Sequence, residues 1–303
     1  MEKVIVVIGP TSVGKTKMGV ALAKKFNGEV ISGDSMQIYK QMDIGTAKVT
    51  EEEKEGIIHH CVDILNSDET YSVHDFQQTV RKKITEITQR GHVPIIVGGT
   101  GLYIKAALYD YQFDEMENDH HAINEKYKDY TNEQLHDHLK SIDEESAKTL
   151  HFNNRRRVLR AIEIYETTGK RKSEMLEEQE HICLYDAYFV GLTLPRDVLY
   201  ERINKRVDVM MENGLKEEMD CLYSQGLTRN HQSMKAIGYK EWFDYYDHQI
   251  DLNDVLELIK KHSRQYAKRQ YTWFKNQFDV HWYDVNLENF EQTIEQVTND
   301  IEK

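Results

Sequence analysis

The residues best suited to chemistry are the octapeptide GPTSVGKT at positions 9–16. It stands between an apolar run at residues 4–8, short enough for a buried parallel strand, and an amphipathic helical pattern. A G-x-x-x-x-G-K-[ST] motif in this setting is typical of a phosphate-binding loop, because glycines let backbone N–H groups and the helix N-terminus surround an anion. We therefore predict a di- or triphosphate site made of Gly9, Pro10, Thr11, Ser12, Val13, Gly14, Lys15 and Thr16.

The last two residues of the motif offer different groups to the ligand. Lys15 offers a point charge to phosphate oxygens, and Thr16 offers a hydroxyl to a bound Mg²⁺. A glycine-rich turn that binds nothing is the alternative. The fixed positions and the flanking elements favour the phosphate site.

A carboxylate and an arginine are candidates for chemistry beside this loop. Asp34 follows a predicted strand at residues 29–32, at the edge where open α/β sheets bind ligands. It could take a proton from a substrate amine or hydroxyl, cap a turn, or bind Mg²⁺ through water. Arg206 borders the apolar stripe of a predicted helix, so it could bind a diphosphate in bidentate fashion or remain solvated.

ATP hydrolases and kinases are the common users of such loops. They usually end a core strand in an aspartate that holds Mg²⁺. Here the predicted strand at residues 93–97 is followed by two glycines and Thr100. This departure weakens the interpretation of the chain as an ATPase without excluding it.

The elements that must position these residues alternate between strand and helix. Strands are predicted at residues 4–8, 29–32, 93–97 and 188–194, and a long helix at 251–275. Alternation of this kind predicts a parallel, doubly wound sheet. The predicted fold class is thus α/β, a P-loop-type parallel sheet flanked by helices.

The strand pattern disappears between residues 114 and 182, where charged helical segments replace it. We interpret residues 114–182 as an inserted all-helical subdomain. Residues 1–113 and 183–303 then form one catalytic core.

The bulk composition restricts the class of protein. No stretch approaches the roughly 20 apolar residues of a membrane span, and the three cysteines form no C-x-x-C pair. The predicted core strand begins almost at Met1, so we expect no signal peptide and a cytoplasmic protein.

Positive charge is concentrated locally, although the net charge is −13. Seven cations lie within residues 155–172, and another six lie within residues 260–275 beside Tyr271 and Trp273. Local patches control nucleic-acid binding through phosphate contacts, so these two stretches predict a nucleic-acid partner.

Taken together, the motifs resemble the bacterial tRNA dimethylallyltransferases, also called tRNA isopentenylpyrophosphate transferases. The matching segments span nearly the whole chain in order. They are GPTSVGKT from Gly9, ISGDSMQIY from Ile31, DIGTAK from Asp43, VGGTGLY from Val97, RRVLRAIE from Arg156, RINKRVD from Arg202, AIGYKE from Ala236 and KRQYTWF from Lys268.

This resemblance implies a reaction and its partners. Dimethylallyl diphosphate, with Mg²⁺, would give its five-carbon chain to the exocyclic amine of the adenine 3′ of the anticodon, and diphosphate would leave. The partner would be the anticodon stem-loop of tRNA. We expect no membrane, no obligatory protein partner and a monomer.

The resemblance also implies residue roles. Asp34 matches the general base, Thr100 a residue near the reacting groups, and Arg206 a group that neutralises the leaving diphosphate together with Lys15 and Thr16. The residues that match tRNA-contacting segments are Asp34, Ser35, Met36, Gln37, Arg156, Arg157, Arg160, Lys235, Lys240, Lys268 and Arg269.

Three other functions use parts of the same pattern. A prenyltransferase acting on free adenine nucleotides would share the core, but the two basic stretches favour a polymeric acceptor. A nucleoside or small-molecule kinase would transfer phosphate from ATP. A non-catalytic RNA-binding protein would not need Asp34.

Overall fold

A six-stranded parallel sheet forms the centre of the larger of two structural units. The computed structural model describes residues 1–111, 120–177 and 181–303. The strands are β1 (Lys3–Ile8), β2 (Gly28–Ser32), β3 (His59–His60), β4 (Val93–Gly98), β5 (Asp186–Thr193) and β6 (His281–Asp284). Their order in the sheet is β3-β2-β4-β1-β5-β6, and every neighbouring pair is parallel. The predicted α/β class is confirmed.

The central position of β1 follows from its apolar sequence. Val6 pairs with Ile96 of β4 on one side and with Phe189 of β5 on the other. Parallel strands covered by helices on both faces need apolar residues at successive positions, and Val6, Val7 and Ile8 are completely buried.

Fourteen α-helices are formed by the described residues. In chain order they are α1 (Lys15–Lys25), α2 (Glu51–Lys54), α3 (Val73–Gln89), α4 (Gly101–Leu108), α5 (His120–Lys126), α6 (Asn132–Ile142), α7 (Glu144–Thr149), α8 (Arg155–Thr168), α9 (Lys172–Glu177), α10 (Arg196–Glu212), α11 (Leu215–Ser224), α12 (Trp242–Tyr246), α13 (Leu252–Gln277) and α14 (Phe290–Ile301), with a 3-10 turn at Ser233–Lys235. The segment β6 to α14 was not predicted from the sequence. A four-residue edge strand is too short to show a periodic pattern.

Two of the long helices begin at a reciprocal side-chain cap. Ser72 caps α3 by accepting from the backbone N–H of Asp75, whose carboxylate accepts in return from the N–H of Ser72. Asp251 and Asp254 form the same reciprocal cap at the start of α13. Such caps satisfy backbone donors that have no partner inside the helix.

The smaller unit spans Asp110–Ile182 and contains α5 to α9. Its core includes Leu135, Leu139 and Val158, all fully buried. Asp143, also buried, accepts hydrogen bonds from the backbone N–H of Ser146 and from both the N–H and the hydroxyl of Ser173. The sequence-based lower boundary at residue 114 lies outside the described residues.

None of the helices in the described ranges combines the length and the apolar composition that a membrane span needs.

Candidate active site

The loop between β1 and α1 has the backbone shape that its glycines allow. Gly9, Ser12 and Gly14 all have positive φ, at 146°, 67° and 106°. A Cβ on Gly9 would lie 2.6 Å from the carbonyl oxygen of Leu192, and one on Gly14 would lie 2.8 Å from the Phe290 ring. Both positions therefore require glycine for conformation and for space.

Lys15 lies at the first position of α1 and is half-buried. Its Nζ donates to the carbonyl oxygen of Pro10 at 2.7 Å. Burial and the charge of Arg206 lower the pKa of Lys15 to about 7, while Asp34 acts in the opposite direction. The loop thus holds a poorly solvated cation, whose charged form an anionic ligand would stabilise.

Two hydroxyls complete the loop. The Ser12 hydroxyl is buried and has no hydrogen-bond partner among the described residues. An unpaired buried hydroxyl is costly, and a phosphate oxygen in the loop would satisfy it. Thr16 follows Lys15 in the first turn of α1 and is half-buried.

Asp34 lies immediately beyond β2 and is half-buried. Its Oδ1 accepts from the backbone N–H of Met36 at 2.8 Å, so it does cap a turn. Burial raises the pKa of Asp34, while the Met36 N–H and the charges of Lys15 and Arg206 oppose that rise. The backbone N–H of Gln37 also opposes the rise, so the Asp34 carboxylate both caps the turn and lies within the electrostatic reach of the loop cation.

Thr100 is brought to the same place by the packing of β2 against β4. A Cβ on Gly98 would lie 2.3 Å from the carbonyl oxygen of Gly33, so the two strand ends touch through their backbones. The Thr100 Oγ1 accepts from the N–H of Ser35 at 3.2 Å. This bond fixes the Thr100 side chain against the turn that carries Asp34.

Two arginines of α10 lie at the loop. Burial lowers the pKa of Arg206, and the carboxylates of Glu53 and Asp34 partly compensate. Arg202, one turn earlier, donates from Nε to the carbonyl oxygen of Ser12 at 3.0 Å. Arg202 is not among the site residues predicted from the sequence, although its spacing from Arg206 places both arginines on one helix face.

The turn after β2 carries the residues matched to tRNA contact. Ser35, Met36 and Gln37 are all half-buried. The Gln37 side chain is held on both sides, because its Oε1 accepts from the Ser32 hydroxyl at 3.1 Å and its Nε2 donates to the carbonyl oxygens of Thr46 and Ala47 at 3.3 Å. The turn is therefore held by side-chain hydrogen bonds to β2 and to the loop at residues 46–47.

The remaining predicted contact residues of the larger unit are surface cations. Lys235 and Lys240 are exposed near the 3-10 turn, and Lys268 and Arg269 are exposed on α13. The Arg269 guanidinium lies 5.7 Å from the centre of the Tyr266 ring, so it is partly held in place.

The arginine cluster of the smaller unit lies at the start of α8. Arg156 and Arg157 are exposed, whereas Arg160 forms an ion pair with Glu163 at 2.8 Å. Arg155 is used inside the unit, where it donates to the carbonyl oxygens of Tyr127 and Tyr130. Adjacent arginines thus have different roles, which the sequence pattern alone did not separate.

Among the described residues, no group of three or more His, Cys, Asp or Glu side chains is arranged to hold a metal ion. A metal at this site would therefore depend on ligand oxygens and on hydroxyls such as that of Thr16.

The chain is similar to a protein family and to several of its members. The model of the IPP transferase family matches residues 37–277. A tRNA dimethylallyltransferase of Bacillus cereus (strain AH187) is 54% identical over 287 residues, which cover 94% of this chain and 90% of that protein. One from Bacillus anthracis is also 54% identical, with 94% and 91% covered.

The chain is also similar to solved structures of tRNA-modifying transferases. The tRNA delta(2)-isopentenylpyrophosphate transferase of Staphylococcus epidermidis has a TM-score of 0.75 and 47% identity, with 100% of this chain and 99% of that chain covered. A eukaryotic dimethylallyltransferase acting on tRNA has a TM-score of 0.86 at 33% identity, with 99% of this chain and 79% of that chain covered.

Proposed function

This chain belongs to the IPP transferase family, and on that premise we propose that it is a tRNA dimethylallyltransferase. The dimethylallyl group passes from dimethylallyl diphosphate to the exocyclic amine of the adenine 3′ of the anticodon, and diphosphate is released. The observation that carries the proposal is the contact between the strand ends that lead to Asp34 and Thr100, beside Gly99, where a Cβ would lie 3.9 Å from Nζ of Lys15.

The phosphate-binding loop binds the diphosphate of the donor. As the carbon–oxygen bond to the dimethylallyl group breaks, negative charge grows on the diphosphate. Lys15, Arg206 and the loop N–H groups stabilise that charge more strongly than they stabilise the intact ester, and this difference lowers the barrier.

Asp34 acts on the acceptor. The exocyclic amine of adenine is a weak nucleophile, and it must lose a proton as its nitrogen forms the new bond to carbon. A positioned carboxylate can take that proton, and the raised pKa of Asp34 makes it a stronger base. Thr100 accepts a hydrogen bond from the backbone N–H of Ser35 and so holds the turn that carries Asp34.

The residues present fit a divalent metal bound through the diphosphate. Thr16 would hold Mg²⁺ with its hydroxyl, as the second residue of α1 does in phosphate-binding loops. When bound, the ion would neutralise part of the diphosphate charge.

The acceptor base must leave its stack to reach the loop. Flipping costs a few kcal/mol and costs least in a single-stranded loop, so an anticodon loop is a suitable substrate. We propose that exposed cations of both units bind the tRNA backbone, among them Arg156, Arg157, Lys268 and Arg269. We also propose a cytoplasmic, monomeric enzyme.

The decisive assay supplies radiolabelled dimethylallyl diphosphate with unmodified tRNA, with AMP, or with neither. We expect label to enter tRNA only. Label in AMP but not in tRNA would identify a free-nucleotide prenyltransferase. Phosphate transfer from ATP without prenyl transfer would identify a kinase.

The Asp34→Asn variant tests the proposed base. We expect its turnover to fall by about 10²- to 10⁴-fold, because the amide cannot take the proton, while the affinities for tRNA and diphosphate change little. Asp68→Asn, at an exposed aspartate, serves as the control and should be unchanged. Unaltered turnover in the Asp34→Asn variant would remove Asp34 from the chemistry.

A further inference from the structure

Gln270 is a polar side chain at a core position of α13. It is 5% exposed, and its neighbours on the same helix face, Ala267 and Phe274, are 1% and 0% exposed. Burying an amide costs free energy unless both its oxygen and its nitrogen find partners. A glutamine at such a position therefore requires a specific explanation.

The Gln270 amide bridges two loops of the site. Its Oε1 accepts from the backbone N–H of Thr11 in the phosphate-binding loop at 2.9 Å. Its Nε2 donates to the carbonyl oxygen of Gly99, next to Thr100, also at 2.9 Å. One side chain thus joins the loop that binds diphosphate to the loop that carries Thr100.

The Gln270 amide is closely packed against the Gly99 backbone and near Tyr266. A Cβ on Gly99 would lie 2.2 Å from Nε2 of Gln270 and 3.9 Å from Nζ of Lys15. The Tyr266 hydroxyl, one turn earlier on α13, donates to the same Gly99 carbonyl at 3.3 Å. The amide therefore lies directly on the Gly99 backbone, close to the Lys15 ammonium.

We propose that Gln270 is a positioning residue that sets the spacing between the phosphate-binding loop and the Asp34–Thr100 side of the site. This inference rests on the proposed function. The neutral amide supplies one acceptor for the Thr11 N–H and one donor for the Gly99 carbonyl. A carboxylate there would repel the Gly99 oxygen. A hydrocarbon would leave the Thr11 N–H without its acceptor and the Gly99 carbonyl with the Tyr266 hydroxyl as its donor.

The consequence is kinetic. Donor carbon and acceptor nitrogen must be held within a few tenths of an ångström of the reactive geometry, and a displacement of about 1 Å can cost about 100-fold in rate. Gln270 lies between the two groups that hold these atoms. Loss of the Gln270 amide should slow the chemical step and weaken donor binding. The binding of tRNA by the exposed cations of α13 should be unchanged.

The experiment compares Gln270→Glu, which keeps the shape, and Gln270→Met, which keeps the volume, with a matched control. Gln77 of α3 is 3% exposed, and its Nε2 donates to the Ala106 carbonyl oxygen at 2.7 Å. It touches neither loop through that bond, so Gln77→Met tests the general cost of losing a buried glutamine.

We expect both Gln270 variants to lose about 100-fold in kcat per tRNA-binding molecule and to show a raised KM for dimethylallyl diphosphate, with the KM for tRNA unchanged. Gln77→Met should have the kcat, the KM for dimethylallyl diphosphate and the KM for tRNA of the unaltered enzyme. The rates are expressed per molecule that binds tRNA, as determined by titration, so unfolded protein does not affect the comparison. Unchanged kcat per tRNA-binding molecule in a Gln270 variant would overturn the proposal, as would an equal loss in kcat and tRNA affinity. Labelling of tRNA by the unaltered enzyme tests the proposed function separately.

Discussion

At the scale of single residues, three ionisable groups, Lys15, Asp34 and Arg206, shift one another's pKa values. Burial lowers the pKa of Lys15 and of Arg206 and raises that of Asp34. Each group is thereby moved toward its neutral form, and the opposite charges beside it partly reverse the shift. An anion in the loop would favour the charged forms of both cations.

The shifted pKa of Lys15 predicts a pH dependence of diphosphate binding. Below about pH 7 Lys15 is protonated in the free enzyme and binds the anion. As the pH rises through that value Lys15 loses its charge, so we expect the affinity for diphosphate to fall by up to about tenfold per pH unit. Calorimetric titration between about pH 6 and 9 measures this.

The matched variant is Lys15→Arg. A guanidinium remains charged over this range, so the Lys15-dependent loss of affinity should disappear, and any slope that remains belongs to the diphosphate itself. If the two proteins showed the same slope, Lys15 would not be the titrating group.

At the scale of elements, the position of the loop at residues 43–48 depends on one side chain of α11. The Glu218 carboxylate accepts from the backbone N–H groups of Asp43, Ile44 and Gly45 at 2.8, 2.7 and 3.0 Å, and from the Tyr239 hydroxyl at 2.6 Å. A carboxylate can accept all of these bonds, because both its oxygens are acceptors. The same loop holds Gln37 through its carbonyl groups.

Glu218→Gln should therefore disturb both stability and tRNA binding. The amide replaces one acceptor by a donor, which then faces backbone N–H groups or the Tyr239 hydroxyl. We expect a loss of about 2 kcal/mol in the free energy of unfolding and weaker tRNA binding, with diphosphate binding retained.

Glu217→Gln is the control, since Glu217 is an exposed neighbour on α11. Urea denaturation and tRNA titration measure the two effects. Equal stability of the Glu218→Gln and Glu217→Gln proteins would show that the carboxylate does not anchor the loop.

At the scale of the whole molecule, a chain with a net charge of −13 presents cations where an RNA backbone could bind. Exposed cations lie on α13 in one unit and at the start of α8 in the other. Binding to phosphates releases counterions, so affinity that depends on these residues must decrease with salt.

Arg157→Ala should weaken tRNA binding and reduce the slope of log affinity against log salt by about 1, because one phosphate contact is lost. Diphosphate binding should be retained. Lys128→Ala removes another exposed cation of the same unit, which pairs with Glu125 at 3.2 Å, and should leave the slope unchanged. Identical slopes for the two variants would remove Arg157 from the RNA contact.

The sequence by itself determined what depends on neighbouring residues. The phosphate-binding motif, the apolar run of β1 and the long helix that became α13 are all local patterns, because a strand, a turn or a helix depends mainly on the residues within it. These patterns were enough to predict the α/β class, which the structure confirms, and they indicate where the proposed diphosphate site lies.

Only the tertiary structure decided which distant residues meet there. Placing β4 between β1 and β2 brings Thr100 against the Asp34 turn, while α10 and α13 supply Arg202 and Gln270 from more than 180 residues away from the loop. No local pattern encodes such contacts, because they follow from strand order and helix packing. In the sequence Gln270 is one polar residue of a basic helix, and only its two hydrogen bonds show that it joins the phosphate-binding loop to the Gly99 backbone.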